Sequence, residues 1–134
     1  MLGHTYRFVA YNSSGVNASI IIKARNYKFG SDGQRVDAAE STPLSTGAIA
    51  NLANGLGASI DNSYDKFLGS DVKVTITPAA AATGTVSVFL QKSTDGGVTW
   101  PETPTTGGAI SGIWVASATF AASAVAQNPG GTIV

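Results

Sequence analysis

Residues 70–100 read SDVKVTITPAAAATGTVSVFLQKSTDGGVTW, and this stretch decides the fold class. In SDVKVTIT (70–77), Val72, Val74 and Ile76 recur at every second position with polar residues between them. Strand side chains alternate between two faces, so this spacing predicts a half-buried strand. TVSVFLQK (85–92) repeats the pattern: Val86, Val88 and Leu90 face one way, Ser87, Phe89 and Gln91 the other. The small-residue run PAAAATG (78–84) joins the two. STDGGVTW (93–100) then sets Asp95-Gly96 behind a strand run, a strong hairpin signal. Gly96 and Gly97 reach positive φ cheaply. Asp95 can accept turn amides, and Ser93 and Thr99 can tie hydroxyls to the same loop. Trp100 offers a large apolar plate to pack beneath the turn, and Pro101 ends ladder pairing.

Working outward, TYRFVAY (5–11) alternates and NSSG (12–15) is a turn by composition. VNASIIIKARNYKF (16–29) puts Ala18, Ile20, Ile22 and Ala24 on one face, with Lys23, Arg25 and Tyr27 on the other. These two runs predict an antiparallel hairpin, since so short a connection cannot make a parallel crossover. SDGQ (31–34) is a second turn signal. Between 36 and 60 the alternation weakens. Ile49, Leu52 and Leu56 have helical spacing, with Thr46 as a cap and Gly55 as a stop. That segment reads as one short helical turn or as a long irregular loop or arm. IWVASATF (113–120) is a further strand, and 121–134 forms a C-terminal edge strand or a tail. Short strand runs divided by turn signals predict an all-β domain, an antiparallel β-sandwich or a small jelly-roll-like barrel.

The chain has 134 residues, which fits one domain. Hydrophobic residues make up 43%, enough for a sizeable core, while 12% are charged, about half the usual share. A surface so poor in charge is common where neighbours cover it in an assembly. Eight basic and eight acidic residues give a net charge of zero, which argues against a sequence-independent grip on nucleic acid. With no cysteine, disulfides, thiol catalysis and cysteine-ligated metals are excluded. MLGHTYRFVAY lacks the basic and apolar regions of a signal peptide, and no run approaches the roughly 18 apolar residues that span a bilayer. The chain therefore reads as soluble, with neither nucleic acid nor membrane as an expected partner.

Candidate chemistry is sparse. His4 is the single histidine, and no G-x-S-x-G elbow supports a triad built on it. Asp61, Asp65 and Asp71 carry hard oxygen ligands, but their spacing matches no EF-hand loop, and solvated turn carboxylates account for them. Asp95 and Glu102 do not read as a glycosidase pair. No enzyme activity, cofactor or metal is expected. Arg7, Lys23, Arg25 and Tyr27 read as sharing one sheet face. Such a face binds single strands or sugars, or else is solvated or pairs with an acidic neighbour. Ile21 and Phe89 are apolar at outward positions, so Arg7, Ile21, Lys23, Arg25, Tyr27 and Phe89 are the candidate interface residues.

Two resemblances add to this. Ser93, Asp95, Gly97, Thr99 and Trp100 match the S-x-D-x-G-x-T-W pattern of the Asp-box of sialidases and other β-proteins. The likeness implies a fold-stabilising hairpin formed by Ser93, Asp95, Gly96, Gly97, Thr99 and Trp100, away from any catalytic site. More widely, residues 57–101, with IDNS, a strand, a P-x-A-x-G-like connection and V-x-V-x-L…S-x-D-G, resemble a group of small tailed-phage virion proteins. YRFVAYNSSGV (6–16) resembles a strand and turn near the C-terminal end of the same proteins. This implies a non-enzymatic β-sandwich of the virion, a head decoration or tail accessory protein, assembled in the host cytoplasm. Other virion proteins and further copies of the chain are its expected partners. The alternative is a carbohydrate- or receptor-binding module, with Trp100, Trp114, Tyr27 and Tyr64 stacking on sugar rings.

Overall fold

The computed structural model describes residues 2, 4–101 and 110–134. Glu102 and most of the Pro/Thr/Gly stretch after Trp100 lie outside them. Ten strands follow in order: β1 (Thr5–Ser13), β2 (Ala18–Phe29), β3 (Arg35–Asp37), β4 (Ser41–Ser45), β5 (Ala53–Leu56), β6 (Ile60–Asp61), β7 (Gly69–Pro78), β8 (Thr85–Ser93), β9 (Ile113–Thr119) and β10 (Gly130–Ile133). They make two antiparallel sheets packed face to face. Sheet A runs β5-β1-β8-β9, with β6 also on β1; sheet B runs β10-β7-β2-β3, with β4 also on β2. The sheets do not close into a barrel, so the sandwich alternative holds.

The core is where alternation places it. Phe8 and Ala10 of β1 and Val86, Val88 and Leu90 of β8 meet Ile20 and Ile22 of β2 and Val74 and Ile76 of β7. Burial of such side chains, roughly 1.5–3 kcal/mol each, drives the two sheets together.

The predicted hairpin between the first two runs does not form. β1 pairs with β8, β5 and β6, whereas β2 pairs with β7, β3 and β4. The NSSG segment is a corner that carries the chain from one sheet to the other. Asn12, with no exposed surface, holds it: its Oδ1 accepts the Ser14 amide (3.1 Å) and hydroxyl (2.7 Å), and its Nδ2 donates to the carbonyls of Val16 (2.8 Å) and Ile49 (3.0 Å).

The 36–60 segment is neither a free arm nor a helical turn. β4 lies on the edge of β2, and Thr46, expected as a helix cap, instead exchanges bonds with the backbone of Ile20. Ile49 pairs with Ala18, and both Leu44 and Ile49 enter the core. The chain then crosses to sheet A and adds β5 and β6 to β1. The C-terminal segment is an edge strand: β10 pairs with β7, Ile133 opposite Ser70.

Candidate functional site

The STDGGVTW loop closes on itself at the end of β8. The Ser93 hydroxyl donates to Asp95 Oδ1 (2.7 Å) and accepts the Gly97 amide (2.8 Å). Asp95 Oδ1 accepts the amides of Val98 (3.1 Å) and Thr99 (2.9 Å), and Oδ2 accepts the Thr99 hydroxyl (2.6 Å). These donors, the Thr99 hydroxyl foremost, hold the Asp95 carboxyl far below the usual carboxylate range. Its oxygens are committed to the turn, so it has neither the proton of a general acid nor the free lone pairs of a general base. Gly96 and Gly97 have φ of 76° and 95°, as the sequence predicts.

Trp100 packs against its own turn. It lies half-buried on the outer face of sheet A rather than in the core. Its indole Nε1 donates to the Gly97 carbonyl (3.1 Å), and the Arg7 guanidinium sits 4.4 Å from the ring centroid. Arg7 Nε in turn donates to Gln91 Oε1 (3.0 Å). Gln91, fully buried, donates through Nε2 to the carbonyls of Pro101 (3.2 Å) and Ser111 (2.9 Å). Sequence reading placed Gln91 among outward polar residues and missed this role; a glutamine on β8 two residues before the loop carries no local signal of it.

The candidate interface residues divide between opposite faces, which corrects the single basic face. Arg7 and Phe89 are on the outer face of sheet A. Ile21, Lys23 and Arg25 are on the outer face of sheet B, where Ile21 is 39% exposed. Tyr27 shares that second face but is buried, with the Arg35 guanidinium 4.2 Å from its ring centroid. The four aromatics considered for sugar stacking do not form a platform. Two are covered by arginines, Trp114 projects from β9, and Tyr64 stands in the turn after β6.

Around the outer face of sheet B, Lys23 pairs with Glu40 (3.1 Å), and Arg35 pairs with Asp37 (2.6 Å) and with Asp71. Arg35 first, then the Thr132 hydroxyl, holds the Asp71 carboxyl below its ordinary value. Asp61 is used elsewhere: it accepts the Ser63 amide (2.8 Å), and the Ser63 hydroxyl and amide lower its pKa. Asp61, Asp65 and Asp71 therefore do not gather, and among the described residues no three His, Asp or Glu side chains could hold a metal ion. Between the loop and the 59–63 segment lies an open depression of about 680 Å³, lined by His4, Ser59, Asp61, Ser63, Lys92 and Thr94 among others. It is rich in hydroxyls and holds both signs of charge.

No family model, curated protein or solved structure matches the chain.

Proposed function

We propose that the protein is a non-enzymatic structural component of a tailed-phage virion, a head decoration or tail accessory protein that acts by packing against neighbouring subunits. The observation that carries this reading is the contrast between the two sheets. The outer face of sheet B carries the Lys23–Glu40 and Arg35–Asp71 ion pairs beside exposed Ile21 and Phe29, whereas the outer face of sheet A has Arg7 towards one end and, beyond it, uncharged positions with exposed Leu56 and Trp114. A face of the second kind fits coverage by a neighbour. The resemblance of residues 57–101 to small virion proteins supplies the setting. The STDGGVTW loop has a supporting role: it locks the β8 end and holds Arg7 and Gln91 in place beside that face. Mass spectrometry of purified particles from the phage that encodes this chain tests the proposal. The chain is expected at a fixed stoichiometry to the major virion proteins; its absence from the particles overturns the reading.

A second reading, saccharide binding, is favoured by the hydroxyl-lined depression at His4, Ser59, Asp61 and Lys92. Hydroxyl, carboxylate and ammonium groups match the donors and acceptors of a sugar ring. A glycan array decides it: binding that Ser59→Trp removes supports this reading, and no binding across the array removes it.

A further inference from the structure

Asn54 and Gly55 are neighbours in β5, and Asn54 is the one asparagine of the chain followed by glycine. Packing explains the glycine. A Cβ added there would lie 2.5 Å from Ile49 Cδ1 and 2.9 Å from Thr46 Cγ2. The asparagine has no such explanation. Its side-chain oxygen and nitrogen are both shut off from water, and neither has a hydrogen-bond partner among the described residues. Asn12 and Asn62, which are also buried, use both ends of their amides. Nothing comparable fixes the amide of Asn54.

The strand around it is lightly held. β5 is a four-residue edge strand on β1. Its one fully buried residue is Gly55, which has no side chain to bury, while Leu56 is 53% exposed. It starts after Leu52, whose φ of 61° is strained for leucine. A short edge with so little apolar burial opens more readily than the core strands. While it is closed, its backbone is occupied. The Gly57 amide donates to the Phe8 carbonyl (2.8 Å), and bonded pairs recur at every second residue of an antiparallel ladder, so the Gly55 amide is committed to Ala10.

We infer that Asn54–Gly55 is a modification site gated by the fold: when β5 leaves β1, Asn54 is converted to an acid, and the strand is then kept from returning. With β5 open, the Gly55 nitrogen is free. Having given its proton to hydroxide, it attacks Asn54 Cγ, unhindered by a Cβ of its own. The Cγ–Nδ2 bond breaks, and Nδ2 takes a proton from water and leaves as ammonia. A cyclic imide now joins the two residues. Water adds to one of its carbonyls. Addition at Cγ restores the ordinary peptide link and leaves an aspartate. Addition at the backbone carbonyl leaves isoaspartate, with the chain running through Cγ. In sum, one amide and one water give a carboxylate and an ammonium ion, and nothing is oxidised or reduced.

Both products oppose reclosure. The carboxylate would return to a place shut off from water and without donors, where a charge is far less tolerable than a neutral amide. Isoaspartate also adds a backbone carbon, which shifts β5 out of register, and Gly55 has no slack against Ile49 and Thr46. The inference goes beyond the packing role and stands whether or not the chain is found in particles.

Ageing the full chain in mildly alkaline buffer, with peptide mass mapping at intervals, tests it. Position 54 should convert to a mixture of aspartate and isoaspartate while Asn51 and Asn62 stay intact. Conversion should be slower than in the urea-unfolded chain by about tenfold or more, as a site closed most of the time requires. The aged protein, and Asn54→Asp made directly, should lose hydrogen-exchange protection at the amides of Gly55 and Gly57 while β7 and β8 keep theirs. Asn54→Gln, which cyclises far more slowly, should keep its protection through the same ageing. An amide that persists at position 54 of the folded chain while the unfolded chain converts overturns the inference, as do equal rates in the two. So does an Asn54→Asp variant whose β5 amides stay protected, or one in which β7 and β8 lose protection as well.

Discussion

Val9 and Phe89 face each other across β1 and β8 on the outer side of sheet A, and Val9 has no exposed surface there. That buried, outward valine sits in a row that runs from exposed Leu56 across Phe89 to exposed Trp114. Several devices hold the strands under that row in place.

The loop at the end of β8 is one such device. Asp95→Ala removes the acceptor for two amides and two hydroxyls. The thermal midpoint should fall clearly, and Asp95→Asn, which keeps one oxygen acceptor, should fall between alanine and the native protein. Differential scanning calorimetry checks the order. An unchanged midpoint in Asp95→Ala would remove the loop from the list of stabilising features.

Acid should weaken the fold in a defined window. Asp95, Asp71 and Asp61 are all held below the ordinary carboxyl value of 3.8. A carboxyl whose folded pKa is depressed binds its proton more readily in the unfolded chain. Its contribution is therefore complete above the unfolded value and lost as pH falls through the folded one. Urea midpoints should be flat from neutral pH down to about 5 and decline below about 4. The decline should be shallower in Asp95→Ala, which has already lost the largest share.

Gly97 should be intolerant of a side chain. Its φ is 95°, and an added Cβ would lie 2.8 Å from Ser59 Oγ and 3.3 Å from Thr5 Cγ2. Gly33 has a similar φ of 76° with nothing within 4 Å. Gly33→Ala should cost about 1 kcal/mol, the backbone penalty alone, and Gly97→Ala more. Equal losses in denaturant unfolding would contradict the crowding argument.

Asn12→Ala tests the corner between the sheets. It leaves the Ser14 amide without its acceptor in a region closed to water and removes the buried bonds to the Ser14 hydroxyl and the Ile49 carbonyl, which keep the Val16 carbonyl and the Ala18 amide as partners. One group left unsatisfied costs about 1–3 kcal/mol and each lost buried bond adds about 1, so the loss should exceed roughly 2 kcal/mol. A loss below 1 kcal/mol would show that the corner is held by other contacts.

Much of this was legible in the residues, for a physical reason. Val72, Val74, Ile76, Val86, Val88 and Leu90 alternate strictly, and alternation is a local signature of a half-buried strand. The two glycines and Asp95 likewise declare the turn conformation within eight residues. Pairing is not local. Nothing within residues 5–29 says that β1 finds β8 and β2 finds β7, because the deciding amide of Asn12 bonds to Ile49, far along the chain. The 41–49 segment lost its strand signal for the same reason. An edge strand with one core residue, Leu44, need not alternate. The outer row was partly visible: Phe89 was apolar at an outward position, and Val9 interrupts a clean alternation between Phe8 and Ala10. That Leu56 and Trp114 complete the row depends on sheet order alone.

The central claim is that the chain packs against neighbouring subunits of a virion, and mass spectrometry of purified particles reports on it most directly. The chain should be present at a fixed stoichiometry to the major virion proteins. Particles that lack it would contradict the account.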